Sequence, residues 1–272
     1  MKQFRVLDPN LPGRGARGLC ALAVMTKAPQ AGRVKTRLVP PLTPEEAAEL
    51  NKCFLRDTAA AISSACSPRP AGDARKTRII SQHYASHSEA ATARVRGIAV
   101  YTPVGAESAY NDVLPADFSL LPQRGEKFGE RLYFAVEDLF NCGFASVCLI
   151  DSDSPTVPAE NFAEAVELLS TREDRVVLGP SDDGGYYLIG GNKPHRHLFD
   201  QIDWSTERVL NQTIQRATEI GLEVKLLRSG YDVDDAASFH RLCNELLGEP
   251  GDDSAAQSTR KFLVALVAQK KL

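Results

Sequence analysis

The chain has 272 residues, of which 43% are hydrophobic and 25% are charged, and its formal net charge is −3 at pH 7. This composition is ordinary for a globular protein, and the length fits one large domain or two small ones. A slightly acidic chain has no overall field that attracts nucleic acid or a membrane surface. Neither is therefore an expected partner, and any anion-binding site must be a local feature.

The first eighteen residues, MKQFRVLDPNLPGRGARG, are polar and rich in glycine, proline and arginine. They lack the apolar segment of a signal peptide and predict a disordered extension over 1–18. No apolar run approaches the roughly 20 residues needed to cross a bilayer, so no membrane insertion is expected. Six cysteines without CxxC spacing, mostly within apolar runs, indicate reduced thiols. We therefore expect a cytoplasmic protein.

Short apolar runs alternate with amphipathic segments along the chain. The predicted strands are 19–25, 77–80, 97–101, 145–150, 175–178, 186–189 and 224–227. The first predicted helix begins after Thr43, where Glu46 completes a capping box and Pro44 occupies the first turn. Further helices are predicted over 127–141, 158–170, 205–220, 234–247 and 259–271.

This alternation predicts an α/β fold, a three-layer α/β/α sandwich around a mostly parallel sheet. One such domain would cover 19–247, followed by a linker at 248–258 and a C-terminal helix within 259–272. Ligands of such sheets bind beyond the carboxyl ends of the strands. The residues that follow each predicted strand are therefore the candidates for chemistry.

A basic loop follows the first predicted strand. The stretch TKAPQAGRVKTRL carries the cations Lys27, Arg33, Lys35 and Arg37. A loop in this position can aim cations and backbone N–H groups at a phosphate, although a solvated charge run would have the same composition. The glycine pattern is not that of a Walker A loop, so a P-loop nucleoside triphosphatase is not expected.

Two carboxylates follow the predicted strand at 145–150, at Asp151 and Asp153. Hard divalent cations such as Mg²⁺ and Mn²⁺ bind one or two carboxylates and complete their shell with water and substrate phosphates. A turn or a helix cap is the alternative interpretation, because aspartate and serine favour both.

Further acids follow two more predicted strands. The strand at 175–178 precedes GPSDDGGYYLIGG, and the strand at 224–227 precedes YDVDD. These segments supply Asp182, Asp183, Gly184, Gly185, Asp232 and Asp234. The paired glycines would let the backbone approach a ligand, or they would form a simple turn with solvated aspartates. Cations and acids at four strand ends together favour a metal-bridged phosphate site.

Several segments occur in a recognisable order: TKAPQAGRVKTRL, LTPEEAAELNKCFLRDT, QRGEKFGERL, LIDSDSP, GPSDDGGYYLIGG, IDWSTERVL and DVDD. Over about residues 19–247 the chain thereby resembles a bacterial glycosyltransferase-like family with the Rossmann-like GT-A fold of nucleotide-diphospho-sugar transferases. The wider superfamily also includes nucleotidyltransferases that act on phospholactate, molybdopterin and sugar acids. The resemblance implies a transferase that uses a nucleotide-activated donor, a small-molecule acceptor and Mg²⁺ or Mn²⁺.

The resemblance also implies roles for individual residues. Those placed along the donor's phosphates are Lys27, Arg33, Lys35 and Arg37. Asp153 would be the metal ligand at the strand end, and Asp234 would be the second carboxylate, by analogy with related nucleotidyltransferases. Asp151 stands where the family is expected to have glycine, so it could bind the metal as well or point away.

A further family element has the form Q-x-G-x-x-L-G-x-R. It is matched by Gln123, Gly125, Gly129 and Arg131, with Phe128 in the leucine position. The match implies a place for Gln123 and Arg131 beside the nucleotide or the acceptor. A loop followed by a helix start is the alternative.

The tripeptide at 204–206 precedes a predicted helix, and Ser205 could cap that helix. Trp204 is the one tryptophan of the chain and could stack on a sugar or base, although packing in the core is slightly favoured. Gly184, Gly185 and Trp204 are the candidate substrate-binding residues.

The catalytic candidates are Asp153, through the metal, and Asp183, which could contact an acceptor hydroxyl or act as a base. A glycosyltransferase would release a nucleoside diphosphate, whereas a nucleotidyltransferase would release pyrophosphate. The latter usually has a glycine-rich first loop, and A-P-Q-A-G in this chain favours the former. A phosphatase of the haloacid dehalogenase type, suggested by the D-x-D motif, and a non-catalytic nucleotide-binding protein remain alternatives.

Overall fold

The computed structural model describes residues 4–11, 16–66, 94–171, 173–248 and 255–269. Within these residues eight strands form one sheet in the order β1-β4-β3-β2-β5-β7-β6-β8. The strands are β1 Arg5–Val6, β2 Leu19–Lys27, β3 Arg94–Thr102, β4 Ser119–Pro122, β5 Ser146–Ile150, β6 Arg175–Pro180, β7 Tyr186–Gly191 and β8 Glu223–Leu226.

Strand β7 runs antiparallel to both of its neighbours, and the other adjacent pairs are parallel. The mostly parallel sheet predicted from the sequence is therefore confirmed. Strand β2 lies between β3 and β5, so the chain first builds one side of the sheet and then crosses to the other. A crevice forms at such a switch point, outside the carboxyl ends of the strands.

Six helices are present in the described parts of the chain. They are α1 Pro44–Ala65, α2 Phe128–Asn141, α3 Ala159–Leu169, α4 Val209–Glu219, α5 Ala236–Leu247 and α6 Gln257–Ala268. Helices α1 and α3 cover one face of the sheet with buried side chains such as Leu55 and Phe162. Helices α2 and α4 cover the other with Leu132 and Ala217. The predicted three-layer sandwich is confirmed.

Helix α6 packs against both α1 and α5, and the three helices bury Phe54, Phe239 and Leu263 in a third core. The predicted capping box of α1 is confirmed. The N–H of Glu46 donates to Thr43 Oγ1 at 3.2 Å, and the Glu46 carboxylate accepts from the Thr43 N–H at 2.9 Å.

The predicted disorder of 1–18 is wrong for β1, which pairs in parallel with β4 as the edge of the sheet. The flanking Phe4 and Leu7 are buried, so this short polar segment is held by the apolar residues beside it. Strand β4 was not predicted. Its four residues are too few to show a periodic pattern.

Helix α4 begins at Val209 rather than at the predicted position 205. Ser205 has a left-handed backbone with φ of 64° and lies before the helix, so it does not cap it. Helix α6 begins at Gln257, inside the predicted linker. The predicted strand at 77–80 lies outside the described residues.

The six cysteines, all within the described residues, form no disulfide bond. Among the described helices, none combines the length and the apolar character needed to cross a bilayer.

Candidate active site

A cavity of about 540 Å³ opens at the carboxyl ends of the central strands. Its floor contains Ile150, the last residue of β5, and Asp151 and Asp153 from the loop that follows. Two other strand-end segments contribute Asp183 and Asp234. The sheet thus brings the acids that follow three predicted strands into one site.

Lys35 joins the loop after β2 to two of these acidic segments. Its ammonium lies 2.7 Å from Asp153 Oδ1 and 3.8 Å from Asp234 Oδ1, and it donates to the carbonyl of Val233 at 2.7 Å. The side chain is only 3% exposed. Lys35 is therefore a buried cation beneath the acids, and its left-handed backbone (φ 48°) turns the loop toward them.

Arg37 is the cation of the same loop that faces the cavity. Its Nη1 lies 2.8 Å from Asp234 Oδ2, and its side chain is 68% exposed. The Val233 N–H donates to the carbonyl of Asp153 at 2.9 Å, which joins the two acidic loops directly. Asp153 and Asp234 are thus held at fixed positions on either side of one ammonium group.

Two neighbouring carboxyls have raised pKa values. Desolvation, followed by the charge of Asp153, raises the pKa of Asp151 to about 8, although a hydrogen bond from Ser154 Oγ at 2.7 Å favours its charged form. Desolvation, followed by the charge of Asp183, raises the pKa of Asp232. Burial is thus the main cause of both shifts, and the neighbouring acids at this sheet edge add to it.

The turn between β6 and β7 separates two adjacent aspartates. Asp182 accepts hydrogen bonds from Arg241 Nη1 at 2.8 Å and Ser229 Oγ at 3.2 Å, outside the cavity. Asp183 lines the cavity, and its Oδ1 accepts from the Gly185 N–H at 2.9 Å. Of the two acids, Asp183 is therefore the one available to a ligand.

The two glycines of this turn differ as well. Gly185 lines the cavity, whereas Gly184 lies against the backbone of Glu207. Gly184 has φ of 88°, and a Cβ at this position would lie 2.3 Å from the carbonyl oxygen of Glu207. Gly184 is therefore required for this close approach within the protein, and it does not line the cavity.

Trp204 lies on the cavity wall and also packs against the protein. Its ring meets Phe128 edge-to-face with centroids 5.1 Å apart, and a Cβ at Gly129 would lie 2.6 Å from its Nε1. The packing role and the ligand-facing role considered for Trp204 are therefore compatible.

Besides Lys35 and Gly184, four of the proposed site residues do not line the cavity. They are Lys27, Arg33, Gln123 and Arg131. Gln123 Nε2 donates to the carbonyls of Val100 and Thr26 at 2.8 and 3.2 Å, so it ties the ends of β2 and β3 together. Arg131 Nε donates to the Gly125 carbonyl at 3.3 Å. These contacts shape the loops around the cavity.

Acids outnumber cations on the cavity wall. The acids are Asp151, Asp153, Asp183, Glu207, Asp232 and Asp234, and among the described lining residues the cation is Arg37. A phosphate would be repelled by this excess of acid unless a further cation shared the site.

Asp153 and Asp234 fit Mg²⁺ or Mn²⁺, which bind carboxylate oxygens together with water and phosphate. In the part of the chain that the structure describes, no three acid, histidine or cysteine side chains are grouped to hold a metal by themselves. A metal held by these two carboxylates would need further ligands, such as water or phosphate.

Several residues on the cavity wall received no individual role from the sequence, among them Ser205, Glu207 and Asp232. Asp232 belongs to the acidic segment DVDD, so its residue type was a usable signal. Ser205 and Glu207 precede α4 and reach the wall only because the 204–207 turn folds over Gly184, which no local pattern indicates.

The fold is similar to that of the nucleotide-diphospho-sugar transferases. The chain is similar over 92% of its length to the crystal structure of a protein from Desulfovibrio desulfuricans G20 that is provisionally named a nucleotide-diphospho-sugar transferase. The match covers 95% of that chain with 25% sequence identity and a TM-score of 0.72. The predicted resemblance is confirmed, and the match supports an enzyme of the transferase class.

A second similar structure is a nucleotidyl transferase from Methanothermobacter thermautotrophicus, with 14% identity, a TM-score of 0.50 and coverage of 84% of this chain and 98% of that one. This likeness shows the fold alone. Residues 87–206, less than half of the chain, match the family described as an uncharacterized protein conserved in bacteria (DUF2064). No curated protein sequence matches the chain.

Proposed function

We propose that the protein is a metal-dependent transferase that binds the phosphates of a nucleotide-activated donor at the carboxyl ends of β2 and β5. The observation that carries this proposal is the convergence of Asp153 and Asp234 on the buried ammonium of Lys35, at the rim of a 540 Å³ cavity. Two carboxylates held together at an open edge of the sheet are suited to a hard divalent cation.

Mg²⁺ or Mn²⁺, when bound, would neutralise charge on the donor phosphates and on the leaving group. Asp153 and Asp234 would hold it, with Asp151 beside them. Lys35 fixes the two carboxylates, and the exposed guanidinium of Arg37 shares the charge that develops on the leaving phosphate. A pre-arranged site of this kind stabilises the transition state without covalent chemistry from the protein.

Asp183 is the proposed contact for the hydroxyl of the acceptor. It lines the same cavity, and the hydrogen bond from the Gly185 N–H fixes its carboxylate. In this position it orients the attacking hydroxyl or accepts its proton. The hydrogen bonds of Asp182 lie outside the cavity, so Asp182→Asn is a matched control for Asp183→Asn.

Glycosyl transfer from a nucleotide-sugar is the favoured reaction. Arg37 is the one cation among the described cavity-lining residues, which suits a diphosphate donor better than the more highly charged triphosphate. Nucleotidyl transfer with release of pyrophosphate is the second candidate, because the fold is shared with a nucleotidyl transferase.

A thermal-shift screen tests the proposal without knowledge of the acceptor, because a ligand that binds the native state raises the melting temperature. Nucleoside triphosphates, diphosphates and nucleotide-sugars are each added with Mg²⁺, with Mn²⁺ and with a chelator. We expect a metal-dependent shift with one nucleotide-sugar. A larger shift with the parent triphosphate would select nucleotidyl transfer, and no shift with any nucleotide would contradict the donor site.

A further inference from the structure

We propose that the cavity wall formed by Phe128, Trp204, Ser205 and Glu207, here termed the acceptor wall, binds a polyhydroxylated acceptor such as a sugar or another polyol. This inference rests on the proposed transferase function and specifies its acceptor class. The acceptor wall belongs to the same cavity as Asp153 and Asp183, so a molecule seated on it would lie beside the reacting groups.

The aromatic part of the acceptor wall is exposed where large apolar side chains are usually buried. Phe128, the first residue of α2, is 55% exposed and lines the cavity. It meets Trp204 edge-to-face, at an interplanar angle of 74°. This arrangement offers a single platform for the apolar C–H face of a sugar ring. It does not form the multi-ring cage that binds quaternary ammonium groups.

The polar part of the acceptor wall is free to bind a ligand. Glu207 is exposed on the cavity, and within the described ranges no hydrogen bond or ion pair engages its carboxylate. A carboxylate accepts hydrogen bonds only, so it requires donors from the ligand, and the Ser205 hydroxyl can donate or accept. Hydroxyl groups spaced around a ring satisfy both side chains.

The turn that carries Ser205 and Glu207 is fixed in advance of binding. Gln212 Nε2 donates to Asp203 Oδ2 at 2.7 Å, and the Asp203 N–H donates to Gln212 Oε1 at 2.8 Å. Glu207 lies against Gly184, and Ser205 keeps a left-handed backbone that is uncommon for a residue with a side chain. Such pre-organisation reduces the entropy lost when a ligand binds.

A carboxylate beside aromatic rings could also bind an amine, which is the main competing chemistry. Asp183 and Asp232 add negative charge to the cavity and would attract a cation. The single exposed ring and the neighbouring Ser205 hydroxyl favour the polyol. The test therefore includes amines as a separate arm.

The fluorescence of Trp204 reports directly on this site, because Trp204 is the one tryptophan of the chain. Glucose, mannose, myo-inositol and glycerol form the polyol arm, and ethanolamine and choline form the amine arm. Each is titrated into the intact protein while the tryptophan emission is recorded, with and without UDP and Mn²⁺. We expect a saturable emission change with at least one polyol.

Three variants localise the binding. Phe128→Ala removes the apolar platform, and Glu207→Gln removes the charged hydrogen-bond acceptor. Each should weaken the polyol affinity at least about tenfold. Glu160→Gln, a change of an exposed acid on α3, should leave the affinity unchanged. Circular dichroism and the melting temperature establish that each variant is folded.

A saturable change with an amine and none with a polyol would overturn the proposal, as would polyol binding that both acceptor-wall variants retain in full. No change with any polyol, while nucleotides still raise the melting temperature, would overturn the acceptor wall and leave the proposed donor site standing. If no nucleotide raises the melting temperature of the protein, that result would count against the transferase function.

Discussion

Lys35 illustrates how one side chain determines the geometry of the candidate site. An ammonium group has three donors, and this one has the Val233 carbonyl and the carboxylates of Asp153 and Asp234 around it. The sequence suggested that Lys35 contacts a phosphate, yet its side chain is buried. Its proposed role is instead to hold two acids that would otherwise repel each other.

This role predicts a large difference in stability between variants of Lys35 and of Lys27, the last residue of β2. Lys35→Met leaves Asp153 without its partner, and because Asp153 is one-third exposed we expect a loss of about 2–3 kcal/mol in the free energy of unfolding. Lys27→Met changes an exposed cation away from the cavity and should alter stability by less than about 0.5 kcal/mol. Urea denaturation measures both. Equal midpoints for the two variants would contradict the role of Lys35.

Gly184 packs directly against the backbone of the 204–207 turn. Its left-handed backbone and its contact with Glu207 both exclude a side chain. Gly221 has a similar φ of 71°, but a Cβ added there would meet no atom within 4 Å. A substitution at Gly221 therefore measures the cost of backbone strain without a steric clash.

Gly221→Ala should destabilise the protein by about 1 kcal/mol through backbone strain alone. Gly184→Ala should cost about 2 kcal/mol more, because the Glu207 backbone has to move. The displacement should also shift the emission maximum of Trp204, which lies three residues before Glu207. Chemical denaturation followed by tryptophan fluorescence reports both effects, and equal losses for the two variants would contradict the close approach.

At the scale of elements, helix α6 is joined to the domain by an acid on another helix. Asp57 of α1 is buried, and its carboxylate accepts from the N–H groups of Ser258 and Thr259 at 2.8 Å each and from Thr259 Oγ1 at 2.7 Å. It thus caps the amino terminus of α6 from outside, where a negative charge also favours the helix dipole.

Asp57→Ala should therefore lower the free energy of unfolding by about 2 kcal/mol, since it leaves two N–H groups of α6 without acceptors. Asp57→Asn keeps one acceptor oxygen and should lose less. Hydrogen exchange of the Ser258 and Thr259 amides localises the effect. Unchanged protection of these amides in Asp57→Ala would show that α6 does not depend on this cap.

At the scale of the whole molecule, the sheet order determines where the site lies. The loop with Lys35 follows β2 and the loop with Asp153 follows β5, and these strands are neighbours at the switch point of the sheet. Because parallel strands end at one edge, the alternation of strands and helices in the sequence was sufficient to place the acids and part of the basic loop together.

The remaining details depended on contacts that no local pattern encodes. The left-handed turn at Lys35 determines which cations of the basic loop reach the cavity. No glycine stands at this position to mark the turn in the sequence. Strands β1 and β4 are too short for periodicity to reveal them. Glu207 reaches the cavity through packing against Gly184, between segments over twenty residues apart.

The most direct test of the account is calorimetric titration of the nucleotide donor selected by the thermal screen, in Mn²⁺ and in a chelator, with three proteins. The wild type and Asp182→Asn should bind the donor with similar affinity in Mn²⁺ and much more weakly in the chelator. Asp153→Asn should bind weakly in both. Metal-independent binding by the wild type, or full affinity in Asp153→Asn, would contradict a metal-bridged donor site at the end of β5.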